Sequence, residues 1–502
     1  MKAAVAPSPR SRLRGSALAS VAATASQTLI GLLLYGYLIR SLGAEAVGVW
    51  VALMAVGLLA CMADLGLNHV LIRSLALPQP AEQAQRILQT LLWAVLLFSG
   101  AALLLVYAAS ALWAPRLALA LRLQQDAVQW LPFVLGGLWL NRIADALAGA
   151  LDGCQRFVPR SAAAVASQLA GLLLTLAAVP HWRMEGAAAA FVVQNALLLL
   201  ANLVLLARCM PGLGWLRPSL SPAILRASVR YGLSIQALVL CYLVLESAIK
   251  LALARGGNLS AVSYFDLSFR IAKGVRGLLA SAVRVLVPRL APLGSAGDAA
   301  QRTGAYAASF EILLVVALSV FSLLLAGAPL IARTLLGHHD EAFVTALFFA
   351  LLPWLIYSLT DPALNLALAS GRMRWPLRAH LLTLLVALPP TFVGAEHSFT
   401  GWYALAAIAI IIGCGTTLAG IHHEEQMPWR LLHPRRSAAA LAGCLVVALL
   451  SWQLSQRGAA AYDWLAIAAA ELLFLCLLWQ QHPLARRLLA PGRAPGPAAP
   501  ER

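Results

Sequence analysis

The sequence predicts an all-α integral membrane protein of about fourteen transmembrane helices, built as two six-helix lobes with two further helices at the C terminus. The lobes are expected to be related by a pseudo-twofold axis along the membrane normal. Three observations carry this reading. Of 502 residues, 61% are hydrophobic and only 11% are charged, whereas a soluble chain has about 25% charged residues. Runs of about 20 apolar residues, each long enough to cross hydrocarbon as a helix, recur along nearly the whole length, and the short alternating segments of a membrane β-barrel are absent. Finally, two stretches of sequence recur at nearly one offset, in topologically matching places.

Taken in order, the spans fall near 17–39, 47–69, 87–109, 128–150, 161–179, 186–207, 229–254, 260–286, 306–326, 344–369, 377–394, 402–421, 437–455 and 464–481. A basic N-terminal segment, 1–16, precedes an N-lobe at 17–208. An inter-lobe linker at 209–228 leads to a C-lobe at 229–421, two additional helices within 437–481, and a Pro- and Arg-rich tail at 482–502. The tail has the composition of a disordered segment. Arg10, Arg12 and Arg14 ahead of an apolar run resemble the start of a signal peptide, but the repeat needs this first helix, so it is read as a span.

The net charge is +17, a value that in a soluble protein would point to nucleic acid. Here most Lys and Arg fall in the even-numbered connections and the tails, as with Arg217, Arg226 and Arg230, or Arg372, Arg374 and Arg378. That is the positive-inside pattern, which puts both termini in the cytoplasm and turns the basic excess toward anionic membrane lipid rather than nucleic acid. The seven cysteines show no paired spacing and read as small apolar residues. His338-His339 and His422-His423-Glu424-Glu425 sit at helix ends, where solvated histidine is the expected state. The sequence contains no phosphate-binding loop, nucleophile elbow or HExxH helix, so no enzymatic activity and no cofactor are expected.

The repeat has two parts. "RSLGAEAVGVW" from Arg40 falls on "RGGNLSAVSYF" from Arg255, and "LIRSLA" at 71–76 on "LVPRLA" at 286–291, both at an offset of 215. "GCQRFVPR" from Gly153 falls on "GRMRWPLR" from Gly371 at an offset of 218. An even number of spans per repeat leaves both halves in the same orientation, and transporters of that plan hold their substrate between the lobes near the bilayer midplane.

The stretch "YGYLIRSLGAEAVGVWVAL…ADLGLNHVLIRSLA" (35–76) resembles the N-terminal signature of bacterial polysaccharide and O-antigen flippases. These belong to a superfamily with lipid II flippases and multidrug exporters. The matching residues are Leu42-Gly43, Gly48, Asp64-Leu65-Gly66 and Arg73. The resemblance implies a multi-pass protein of the bacterial inner membrane that moves a lipid-linked oligosaccharide, carried on polyprenyl diphosphate, to the periplasmic leaflet. It implies alternating access around a central cavity, and other polysaccharide-assembly membrane proteins as candidate partners. Many relatives have twelve spans, so the last two helices are a departure.

One span is not greasy. Asp266, Arg270, Lys273, Arg276 and Arg284 all lie in "SYFDLSFRIAKGVRGLLASAVRVLVP", and at 100° per residue all but Arg276 fall within about 60° of one another. Ionisable groups at mid-membrane cost several kcal/mol unless they face a partner or a polar cavity. Local pairs are available at i,i+4 (Asp266 with Arg270, Glu246 with Lys250) and at i,i+3 (Arg142 with Asp145). They leave Lys273 and Arg276 without an acid nearby in sequence. At the 215 offset, the charged positions of span 8 fall on Val51, Ala55, Leu58 and Cys61, so the architecture itself does not demand charge there. Arg270, Lys273, Arg276 and Lys250 are therefore read as a cationic path suited to a diphosphate, with purely structural pairing as the alternative. Asp64, Glu311 and Asp361, and Glu471 beside them, are candidates for a gate or for a coupling proton or sodium ion.

Two other functions stay open. A multidrug or cation exporter of the same superfamily would favour acids in its cavity, whereas spans 7 and 8 hold more bases than acids. A membrane-embedded glycan polymerase or ligase would present a long external loop, and the longest external connection here is short.

Overall fold

The computed structural model describes residues 9–76, 80–113, 121–210, 214, 217–255, 258–290, 299–370, 374–393, 399–456 and 461–482. Regular structure among the described residues is wholly helical. By packing, the chain forms two compact units, one of Met1–Arg270 with Thr383–Ala406 and one of Ile271–Leu382 with Ala407–Arg502. These divisions fall within helices.

The first unit holds α1 (Pro9–Leu42), α2 (Ala44–Cys61), α3 (Leu67–Ala76), α4 (Ala81–Ala108) and α5 (Ser110–Trp113). It continues with α6 (Leu121–Gly153), α7 (Phe157–Cys209), α8 (Pro222–Arg255) and the start of α9 (Leu259–Leu290). The second unit takes up the rest of α9, then α10 (Ala299–Ala326), α11 (Ala328–Leu336), α12 (Glu341–Leu359) and α13 (Asp361–Ser370). α14 (Arg374–Val393) and α15 (Phe399–Glu424) are shared, and α16 (Pro434–Gln456) and α17 (Ala461–Gln481) complete the second unit. Eight segments among the described residues, from Ala22–Leu42 to Trp429–Leu454, are long and apolar enough to cross a membrane. α9 is not one of them, because Asp266, Arg270, Lys273 and Arg276 interrupt its apolar run.

α7 runs for 53 residues but reverses at Arg183, whose φ of 49° is non-helical. A Cβ on Gly186 would stand 2.7 Å from the Ala178 carbonyl oxygen, and one on Gly171 would collide with Gln194. Those contacts belong to two antiparallel arms, which are the expected segments 161–179 and 186–207. The second arm is tied to α6 by Asn141 Nδ2 donating to Asn195 Oδ1 at 3.1 Å and Asn202 Nδ2 donating to the Ala144 carbonyl at 3.0 Å. Leu67, Leu71, Leu88, Leu91, Leu147, Leu151 and Leu206 fill the core of this unit.

Two expected spans are interrupted. Segment 47–69 breaks where a 3-10 turn at Met62–Asp64 is followed by Leu65 at φ 55° and Gly66 at φ 71°. Asp64 Oδ1 accepts the Gly66 N–H at 3.1 Å, a side-chain-to-backbone bond that competes with helix. The backbone of Gly66 also lies against Gly232 of α8, where an added Cβ would meet the Gly232 carbonyl oxygen at 2.7 Å. The Asp-Leu-Gly motif is thus a helix break that docks on another helix. Segment 344–369 breaks at Thr360: Pro362 offers no N–H to Ser358, and Thr360 Oγ1 donates to the Tyr357 carbonyl at 2.7 Å.

Candidate functional site

Charge in the first unit gathers where α8 meets α9 and α1. On α8, the i,i+4 spacing puts Glu246 and Lys250 on one face, and Lys250 Nζ lies 2.6 Å from Glu246 Oε1. The same spacing on α9 brings Arg270 Nε to 2.5 Å from Asp266 Oδ2. The two pairs meet, because Lys250 Nζ also lies 2.5 Å from Asp266 Oδ1. Tyr35 of α1 donates its hydroxyl to Asp266 Oδ2 at 2.6 Å, and the Arg270 guanidinium lies over the Tyr35 ring at 4.7 Å from its centroid.

This five-residue network holds two acids and two bases, so its charges cancel. Glu246, Lys250, Asp266 and Tyr35 are all buried. Arg270 differs, with a side chain 49% exposed. Its bond to Asp266 uses one of five guanidinium N–H donors. Aromatic packing braces the start of α9: Phe265 stacks on Phe269 and on Tyr403, whose hydroxyl donates to the Ala261 carbonyl at 2.7 Å.

In the second unit, Arg276 reaches Asp361 at the first turn of α13 through a direct ion pair. The guanidinium lies over the rings of Tyr357, at 4.2 Å, and Trp354, at 5.8 Å, both on α12. Arg276 has no acid nearby in sequence and finds one 85 residues further along the chain. Lys273 is half-buried and also has an interaction partner. The side chain of Arg284 lies outside those described.

Three candidate acids are also placed. Asp64 is buried and lies 4.0 Å from Arg142 Nη1, while Arg142 Nη2 makes the closer contact, 3.0 Å to Asp145, as the i,i+3 spacing predicts. Gln236 of α8 donates to Asp64 at 3.4 Å. Glu311 of α10 faces His482 Nδ1 at 3.7 Å, and Asp361 is the partner of Arg276. His482, just past α17, is held toward its neutral form by burial, against the pull of Glu311. Of the histidine pairs, His422 bonds Tyr306 at 2.9 Å and stacks on Trp429. Among the described residues no cluster of His, Cys, Asp and Glu is placed to hold a metal.

Sequence reasoning missed Tyr35, Trp354 and Tyr357. Nothing in their local pattern marks them, since an aromatic residue in an apolar helix is ordinarily core, and only the fold brings Arg270 and Arg276 against their rings.

A family model described as polysaccharide biosynthesis protein matches residues 13–293, more than half of the chain. The chain belongs to the polysaccharide biosynthesis protein family. Among solved structures, this family member is similar in fold to "Lipid II flippase MurJ, inward closed conformation", at a TM-score of 0.69 and 13% identity, covering 92% of this chain and 97% of that one. It is also similar to an inward-facing multidrug resistance MATE transporter of the MOP superfamily, at a TM-score of 0.62 and 15% identity, covering 80% and 94%. A third likeness is to the MATE multidrug transporter DinF-BH, at a TM-score of 0.56 and 16% identity, covering 82% and 95%. No curated protein matches the sequence. The fold is that of a multi-pass membrane transporter or flippase.

Proposed function

We propose that this polysaccharide biosynthesis protein is a flippase. It would carry an oligosaccharide linked to polyprenyl diphosphate from the cytoplasmic to the periplasmic leaflet of the bacterial inner membrane, for O-antigen or exopolysaccharide assembly. Fourteen spans, cytoplasmic termini, alternating access and a coupling proton or sodium ion belong to the same proposal. Family membership and the fold shared with a lipid II flippase support it.

The observation that carries it is Arg270. It is the one half-exposed cation on a buried, charge-balanced network, and most of its donors are not used by Asp266. A guanidinium in that state can bind a diphosphate without unbalancing the charges behind it. Lys250 is buried and is taken by Glu246 and Asp266 together, which suits a supporting role. A cation exporter is less well supported, because both acids of this network are already neutralised from within the protein.

The test is Arg270→Lys, which keeps the charge facing Asp266 and removes the planar fork. In a cell that depends on this protein, abundance should hold while transport falls, and lipid-linked oligosaccharide should accumulate on the cytoplasmic face. Normal transport by this variant would remove Arg270 from the substrate path. Polymerising activity in the purified protein would replace the flippase reading with an enzyme.

A further inference from the structure

The charged networks described above leave one intramembrane acid without a role. Glu471 lies near the middle of α17, in the pair of C-terminal helices, and is only 4% exposed. α10 and α16 of the same unit pack on α17. From α10, Ser322 Oγ lies 2.6 Å from Glu471 Oε1. Glu471 Oε2 has neither solvent nor a hydrogen-bond partner, and among the described residues no Lys, Arg or His pairs with the side chain.

The hydrogen bonds around Ser322 bear on the protonation state. Its hydroxyl has one hydrogen and two acceptors in reach, Glu471 Oε1 at 2.6 Å and the Ser319 carbonyl at 3.2 Å. Were Glu471 a carboxylate, Ser322 could serve only one of them, and a full charge would stay buried with a single donor. That burial costs several kcal/mol. Were Glu471 an acid, its own O–H would donate to Ser322 Oγ, and Ser322 would pass its hydrogen to the Ser319 carbonyl. Every hydrogen is then used, and only a neutral carbonyl oxygen goes without a partner.

We infer that Glu471 is a proton-binding site within the membrane-embedded part of the protein, occupied while α17 is packed on α10. The proton is bound as the O–H of a carboxylic acid and is handed to no other group in this state. A carboxyl released to water would give up that proton at neutral pH, so proton binding and the packing of α17 support each other. The inference does not depend on which substrate the protein moves.

Infrared difference spectroscopy on the purified full-length protein at neutral pH tests it. The expected result is the carbonyl band of a buried carboxylic acid, shifted by deuterium exchange and lost in Glu471→Gln. That variant is a neutral near-isostere and should match wild type in abundance and melting temperature. Ser322→Ala gives a second readout, in which the band persists but shifts as it loses its hydrogen-bond partner. If the carbonyl region is identical in wild type and Glu471→Gln, the site holds no proton and the inference fails. If Glu471→Gln does not fold, an unchanged band in Ser322→Ala overturns it equally.

Discussion

Asp266 in the first unit and Asp361 in the second are both buried carboxylates facing an arginine on α9, yet they are held differently. Asp266 receives three donors, from Lys250, Arg270 and Tyr35, and shares Lys250 with Glu246. Asp361 forms a pair with Arg276, whose guanidinium is flanked by Tyr357 and Trp354. The first arrangement is a network in which one carboxylate contacts two cations and a second acid, Glu246, completes the charge balance. In the second, the acid meets an arginine that is set among aromatic rings. Removing the shared acid of the network should therefore do more harm than removing either partner of the pair.

A second contrast concerns where the charges sit. In the first unit an acid, Asp64, marks the break between α2 and α3, and its base, Arg142, comes from α6. In the second unit the base, Arg276, is on α9, and the acid, Asp361, marks the break between α12 and α13. Carried through the sequence offsets, Arg142 falls on Thr360, next to Asp361, and Arg276 falls on Cys61, about one turn before Asp64. If the repeat read from the sequence relates the two halves, acid and base have changed places, and such a contact depends on attraction more than on which side chain stands where.

The largest effect is expected for Asp266→Ala, which leaves Lys250 and Arg270 with one acid between them. Removing one member of a buried ion pair typically costs about 3–5 kcal/mol, and here two cations are affected. Membrane-inserted protein should fall sharply, as measured by abundance and by the melting temperature of what remains. A near-normal level would mean that Glu246 alone balances the network.

Next comes the pair. Arg276→Ala or Asp361→Ala should each destabilise, by about 3 kcal/mol at most since both side chains keep some exposure. The exchange of Arg276→Asp with Asp361→Arg should recover much of that loss, as the reversed order in the first unit implies. If the exchanged protein is no better than the single variants, the aromatic rings around Arg276 fix its identity, and the two units are not alternatives of one design. Tyr35→Phe should cost less, about 1.5–3 kcal/mol, as expected for losing a hydrogen bond to a charged group, while leaving the ring under Arg270. A melting curve on purified protein measures it.

The smallest effect is expected at Asp152, at the cytoplasmic side in the predicted topology. Burial raises its carboxyl above the usual range, and Arg160 at 3.6 Å opposes that shift. A raised value in the folded state means the protonated form is favoured there. The associated stability is present at low pH and is lost as pH rises through the folded value. Asp152→Asn should flatten that shallow decline in melting temperature and change little else.

Much of the helical framework could be read from the chain itself. Hydropathy marks the helices of both units, because a backbone in hydrocarbon must satisfy its own hydrogen bonds whatever its neighbours are. The i,i+4 and i,i+3 ion pairs were legible for the same reason, since helix geometry alone sets Asp266 beside Arg270 and Glu246 beside Lys250. The partners of Arg276 and Tyr35 were not. Asp361 is 85 residues from Arg276 and Tyr35 is 231 residues from Asp266, and no local periodicity encodes contacts at that separation. The same limit hid the break at Thr360 and the docking of Gly66 on Gly232. The sequence by itself determined which helices carry charge, because a helix fixes its own neighbours at three and four residues. Only the tertiary structure decided which of those charges are balanced, because that depends on which other helix comes within about 3 Å of them.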